Sequence, residues 1–312
     1  MTKNQAKTPP KTPPCVLTFA ATDPSGGAGL QADILALASI GCHPLSVVTA
    51  ITVQDTVGVD SVMAFDADWI DDQARTILED VQVAAFKLGM LGSVENIAVI
   101  AEIMADYPDV PLLIDPILSS GRGDELANEE MMEAMTELLF PQATLITPNS
   151  LEARRLAYVN VEDEIHDSSL NECAQRLLKM GSEYVLITGT HERSLEVVNS
   201  LYGGLDNTTG LIKAYNWERL PGSYHGSGCT LTSAIAACLA HGLTMEEAVQ
   251  EAQEYTWQTL KNAFRPGMGQ YIPDRFFWAR DDESDEKDNH QSELNTEMSG
   301  EINHDKPPSS QH

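Results

Sequence analysis

Basic residues are scarce in this 312-residue chain. Its 19 lysines and arginines face 47 aspartates and glutamates, a formal charge of −28. A surface of that sign repels nucleic acid and anionic membranes, so neither is expected as a partner. Cysteine is sparse too. Cys15, Cys42, Cys173, Cys229 and Cys238 are odd in number and lack any CxxC spacing. That argues against a disulfide framework and a structural zinc, and it fits a reducing compartment. No stretch of 18 uncharged apolar residues occurs, and the opening MTKNQAKTPPKTPP has no apolar signal core. A soluble, cytoplasmic protein is expected. Walker A, GxSxG and HExxH sequences are missing as well, which excludes a P-loop enzyme by motif.

What is present is ordinary globular material, 42% hydrophobic and 21% charged, in a chain long enough for a full α/β core. Strand-length apolar runs (CVLTFAAT, LSVVTAITVQ, AAFKLGM, VPLLIDPIL, ATLITP, YVLITGT) alternate with helical-period segments such as GGAGLQADILALASIG and SVENIAVIAEIMADY. Nearly unbroken apolar strands in a βαβα rhythm predict a mostly parallel sheet covered on both faces. Residues 194–221 read as a β-hairpin insertion turning near Asp206 to Gly210. One domain over 15–280 is expected, between a disordered segment 1–14 and a disordered tail 281–312. That tail carries ten acidic residues against two lysines and too little apolar surface to fold.

Five segments bring polar or glycine residues to the carboxyl edge of this sheet, where open α/β folds take ligands. In ATDPSGGAGLQAD, Gly26, Gly27 and Gly29 follow a strand and open a helix. Gly27 to Ala32 satisfies GxGxxG/A, with Asp55 further on where a ribose-binding acid falls, and a tight βα turn explains the glycines equally well. Asp33 reads as a solvated charge or a substrate contact. Gln54 ends an apolar strand with an amide suited to a heterocycle edge. Asp115, in LLIDP, is a carboxylate at the sheet mouth, either a turn residue or a Mg²⁺ or phosphate-side group. Asn149 and Glu152, in TPNSLEA, have the spacing of a capping box and also of an amide–carboxylate pair around Mg²⁺. In HGSGCTL, Gly226, Ser227 and Gly228 expose amides at a helix N-terminus, an anion site. The same field is expected to lower the pKa of Cys229. Cys238 reads as core.

DPSGGAGLQAD, TAITVQDTVGV, FKLGMLGS, IDP, TPNSLEA and HGSGCTL, in this order and spacing, resemble the hydroxymethylpyrimidine/phosphomethylpyrimidine kinases of the ribokinase-like superfamily. The resemblance spans about Val16 to Phe276. It implies a three-layer α/β/α sandwich that phosphorylates a hydroxymethyl pyrimidine and then its monophosphate with ATP and Mg²⁺, in thiamine biosynthesis. It further implies that Gln54, Asp33, Gly27, Ala28 and Met90 bind the pyrimidine. Asn149 would meet the nucleotide, Asp115 and Glu152 the metal, and Gly226, Ser227 and Gly228 would form an anion hole beside a catalytic base, Cys229. Thr188-Gly189-Thr190-His191 stands where many relatives carry a KGGH-like element, so the hydroxyls of Thr188 and Thr190 are expected to replace a lysine at the phosphates. A homodimer is implied as well. Pyridoxal or pyridoxine kinase activity and a non-catalytic pyrimidine-binding regulator are the alternatives. A sugar kinase is disfavoured, because Cys229 stands where those enzymes have aspartate.

Overall fold

Successive strand residues point to opposite faces, so a strand without polar positions must be covered on both sides. In the computed structural model, which describes residues 12–159, 168–203 and 210–280, that requirement is met by three layers. The elements in chain order are β1 (Cys15–Ala20), α1 (Gly29–Ser39), β2 (His43–Val48), β3 (Ala50–Gln54), β4 (Val59–Ala64), α2 (Ala67–Asp80), β5 (Ala85–Leu88), α3 (Val94–Ala105), β6 (Leu112–Ile114), α4 (Glu129–Ala134), β7 (Leu145–Ile146), α5 (Ser150–Ala157), α6 (Leu170–Lys179), β8 (Tyr184–Ile187), β9 (Glu196–Gly203), β10 (Gly210–Glu218), α7 (Ser227–Ala240) and α8 (Met245–Lys261). Eight strands form one sheet in the order β10-β9-β8-β7-β6-β5-β1-β2. From β8 to β2 they run parallel; β9 and β10 add antiparallel at one edge.

Val16, Ala85, Leu113, Leu145, Leu186 and Leu201 face one side, in a core completed by α1, α7 and α8. Their neighbours Leu17, Phe86, Leu112, Ile146, Val185 and Tyr202 face the other, under α2 to α6. Helix α7 is buried from Cys229 through Cys238, as a helix with no polar face must be. Its hydroxyls turn inward: Thr230 donates to the carbonyl of Gly226 (2.8 Å) and Thr232 to that of Gly228 (3.1 Å). Among the described residues no helix is long and apolar enough to cross a membrane.

The structure corrects one reading of the strands. LSVVTAITVQ is not one strand but two, in different sheets. At Thr49 the chain leaves the main sheet, and β3 pairs antiparallel with β4 in a separate two-stranded ribbon. Thr49 is the pivot: its N–H donates to Ala20, its hydroxyl to Met90, and its carbonyl accepts from Phe65. The partner strand β4 is mostly exposed, so no apolar run announces it. The ribbon's root packs on Gly92, whose backbone lies against Ala50 and Ala64. Its tip is held by Thr56, which accepts N–H bonds from Gly269 (3.0 Å) and Gln270 (2.8 Å).

The chain divides into two units, residues 1–275 and 276–312. Of the second, 276–280 are described; they form a 3-10 turn at Phe277–Ala279. Segments 1–11 and 281–312 lie outside the described residues, as does most of the turn joining β9 to β10.

Candidate active site

Side-chain oxygens cap most helices here, but not α7. Asn149, Ser169 and Thr244 close capping boxes at α5, α6 and α8, and Ser93 and Asn128 cap α3 and α4. Helix α7 has no side-chain cap; its N-cap is Gly226 at φ 82°, a left-handed conformation that favours glycine. A Cβ there would also collide with the backbone of Gly27. The first-turn amides of Ser227 and Gly228 are thus left without a side-chain partner at the positive end of a buried helix, which makes an anion site.

The loop after β1 is fastened to this turn from below. Asp23 accepts N–H bonds from Ser25 (2.8 Å) and Ala28 (2.7 Å), and its Oδ2 lies 2.8 Å from His225 Nε2. Burial alone would raise the Asp23 pKa; His225 and these amides hold it below the usual carboxylate value. The GxGxxG/A stretch is a turn packed on the next loop, with the His225 ring against Gly27. Asp55 does not reach toward a ribose. It caps the ribbon's turn, accepting from Val57 (2.8 Å) and Gly58 (3.2 Å).

Beneath the anion site lies a buried charge cluster. Lys87 of β5 donates to Asp33 of α1 at 2.9 Å, both side chains 0% exposed. Thr18 (2.7 Å) and Ser233 (2.8 Å) supply the other hydrogen bonds to Asp33. With its carboxylate occupied this way, Asp33 sits under the site and offers no free oxygen edge to a substrate. Cys229 is buried beside these groups, and its thiol is pushed up to about 12. Burial is the main cause; Lys87 opposes it, while Asp115 and Asp33 add to it. The lowered thiol pKa expected from the helix N-terminus is therefore not what the site produces. Desolvation outweighs the dipole.

Asp115 follows β6 and faces Gly228, its carboxyl oxygens 3.6 and 3.7 Å from where a Cβ on that glycine would stand. Its Oδ2 is buried with no hydrogen-bond partner. Burial lifts its pKa to about 6, Lys87 lowers it, Asp33 raises it, and the Cys229 thiol lowers it by hydrogen bonding. Glu152 closes the α5 box by accepting from the Asn149 amide (2.9 Å) and reaches toward Leu118 N–H (3.4 Å). Burial, then Asp115, raises it to about 8. The capping reading of Asn149 and Glu152 thus holds, and it coexists with an unusually placed acid pair. No cluster of three or more metal-ligating side chains occurs among the described residues. Asp115, with an orphaned oxygen, and Glu152, which a bound cation would draw into its ionised form, fit Mg²⁺, which is commonly held by one or two carboxylates together with phosphates and water.

The remaining candidates have these local surroundings. Thr188 bridges to Asn149 through backbone, and Thr190 is exposed just beyond it. Met90 is buried with Ala21 and Ala50 in a small cluster bordered by Ile117 and Leu126. Gln54 sits half-buried at the irregularity near the ribbon's tip. Lys87 and Arg275 were missed in the sequence. A lysine between Phe86 and Leu88 in an apolar strand was a legible signal of a buried pair; Arg275 had none.

A parallel sheet covered on both faces, with an uncapped helix opening onto paired carboxylates at its carboxyl edge, defines a ribokinase-like kinase. The chain belongs to the phosphomethylpyrimidine kinase family, whose model matches residues 23–274. It is 37% identical over 268 residues to the hydroxymethylpyrimidine/phosphomethylpyrimidine kinase of Streptomyces coelicolor, covering 85% of this chain and 95% of that one. The structure is similar to phosphomethylpyrimidine kinase from Clostridium difficile (34% identity, TM-score 0.66, 79% of this chain and 99% of that one). It is also similar to pyridoxal kinase from Staphylococcus aureus in complex with AMP-PCP and pyridoxal (28% identity, TM-score 0.74, 86% and 96%).

Proposed function

We propose that this chain transfers the γ-phosphoryl group of ATP to the hydroxymethyl group of 4-amino-5-hydroxymethyl-2-methylpyrimidine. It then phosphorylates the monophosphate to the pyrophosphate, a step of thiamine biosynthesis. The observation carrying this reading is the uncapped turn Gly226–Gly228 beside Asp115 and Cys229, in a chain of this family. In this reading the Gln54 amide pairs with the aminopyrimidine edge, Met90 packs against the ring, and Gly27 and Ala28 border it. Asn149, Thr188 and Thr190 meet the nucleotide phosphates. The amides of Gly226 to Gly228 take the charge that builds on the transferring group.

Cys229 is a thiol at neutral pH, because its pKa is about 12, whereas Asp115, at about 6, is mostly ionised. The proton therefore moves in relay. As the substrate oxygen bonds to phosphorus, its proton passes to Cys229 sulfur and the thiol proton passes to Asp115. A late proton transfer suits the loose transition state of phosphoryl transfer. Glu152 and the unpartnered Oδ2 of Asp115 would hold Mg²⁺, which would neutralise phosphate oxygens, leaving the other Asp115 oxygen to take the thiol proton. The cytoplasm is the compartment this reading assigns. A homodimer is its assembly, supported by the exposed Ile51, Val53 and Met63 on the ribbon.

The test is Mg-ATP turnover on hydroxymethylpyrimidine, its monophosphate, pyridoxal and ribose, followed as ADP release. Product from the alcohol and the monophosphate is expected, and Cys229→Ala should lower kcat by on the order of 10²–10⁴. Turnover on ribose alone would sink the reading, and an unchanged kcat in Cys229→Ala would remove the thiol from the relay. Similarity to a pyridoxal complex supports pyridoxal as a second substrate.

A further inference from the structure

Two cations are buried among the described residues, Lys87 and Arg275. Lys87 is neutralised by Asp33. Arg275, 2% exposed, makes no ion pair among the described residues. Its nitrogens donate only to neutral oxygens: Thr230 Oγ1 at 3.0 Å, the Gly26 carbonyl at 3.4 Å, and the Gly27 carbonyl. Burying a guanidinium without a counter-charge is costly, and such an arrangement is sustained when an anion arrives to use it.

The acceptors show where that anion belongs. Thr230 donates its hydroxyl hydrogen bond to the Gly226 carbonyl, and Gly27 packs directly against Gly226. Arg275 therefore backs both loops that frame the phosphoryl position, and its charge acts through space on Cys229, Tyr255, Asp33 and Asp23. Two of these are already engaged, Asp33 by Lys87 and Asp23 by His225. Among the described residues of this acidic chain, Arg275 is the buried cation without an ion-pair partner, and so the one left for a ligand.

The two proposed phosphorylations differ in what they ask of that charge. In the first the acceptor is a neutral alcohol. In the second the acceptor already carries a phosphate dianion, so a second anionic group must enter the same pocket. We propose that Arg275 is a specificity-determining positioning residue, which favours the pyrimidine monophosphate over the neutral alcohol through the Gly26–Gly27 carbonyls and the first turn of α7. The inference rests on the two-step reading above.

The experiment compares kcat/KM for hydroxymethylpyrimidine and for its monophosphate in wild type, Arg275→Gln and Arg275→Lys, alongside thermal midpoints. Arg275→Gln should lose on the order of ten- to hundredfold more on the monophosphate than on the alcohol, as expected for one charge acting across a few ångströms of protein. Arg275→Lys should keep the wild-type ratio even if it melts earlier. Equal losses on both substrates in Arg275→Gln, or a lysine variant as unselective as glutamine, would overturn the proposal. Should the glutamine variant not fold, Arg275→His carries the test within one molecule. Its substrate ratio, normalised to wild type, should fall by about tenfold as pH rises through the imidazole range near 6.5, and a flat ratio would overturn it. Wild type acting on neither substrate would instead refute the two-step reading, and this inference with it.

Discussion

Replacing Lys87 with methionine keeps the side-chain length and deletes the charge. Asp33 would then retain its bonds from Thr18 and Ser233 and lose its only ion-pair partner among the described residues, in a site where both side chains are 0% exposed. Breaking a buried pair from one side costs about 3–5 kcal/mol, because the orphaned carboxylate stays in a poorly solvating interior. For a unit of this size each kcal/mol shifts the melting midpoint by roughly 2–4 °C. Lys87→Met should therefore melt roughly 6–20 °C below wild type. Removing both charges, in Asp33→Leu with Lys87→Met, eliminates the orphan and leaves only two hydroxyls without an acceptor, a cost of about 1–3 kcal/mol each at most. Urea unfolding of wild type, both single variants and the double variant, followed by far-UV circular dichroism, closes the cycle. The double variant should be more stable than the sum of the singles by about 2 kcal/mol or more. A double variant as destabilised as that sum would show that the two charges do not depend on each other, and the reasoning would fail.

The thiol of Cys229, pushed up to about 12 chiefly by burial, should react with iodoacetamide at neutral pH on the order of 10³ times more slowly than a free thiol of pKa near 8.5. Rapid labelling of that peptide in the folded protein, read by mass spectrometry, would contradict it. Asp23 is held below its usual value, against burial, by His225 and the Ala28 and Ser25 amides. A depressed carboxylate contributes stability that is complete above the unfolded pKa, about 4, and lost as pH falls through the folded value. Asp23→Asn should flatten that acid limb of the urea midpoint against pH, and an unaltered limb would argue against the His225 contact. Gly226→Ala meets both a positive φ and the Gly27 backbone. It should cost more than the roughly 1–2 kcal/mol of a left-handed residue and reduce kcat more than the KM for ATP, which steady-state kinetics would separate.

Local rules were the legible part of this fold. Unbroken apolar strands announced a sheet covered on both sides, and the residue spacings at Asn149–Glu152 and Thr244–Glu247 announced capping boxes that are present. Interactions across long sequence separations were not legible. Asp33 meets Lys87 54 residues away and Ser233 200 away, and Arg275 reaches Gly27 across 248. No periodicity encodes such meetings. The error at Cys229 has the same origin. A helix start and its dipole can be read from HGSGC, but the desolvation that overrides them comes from strands and helices packed around it. The break at Thr49 was hidden because a run of apolar and β-branched residues looks the same whether it stays in one sheet or crosses into another.

The ribbon formed by β3 and β4 is mounted at two points, its root on Gly92 and its tip on Gly269 and Gln270 through Thr56. Between those mounts it contributes little to either large core, and it carries Gln54. In the proposed reading of Gln54, substrate choice is thereby separated from fold maintenance, as on an interchangeable part. Exchanging the stretch Ala50–Ala64 for its counterpart from a pyridoxal-selective relative, with the anchors retained, would retune which heterocycle enters while the sheet and α7 stay intact.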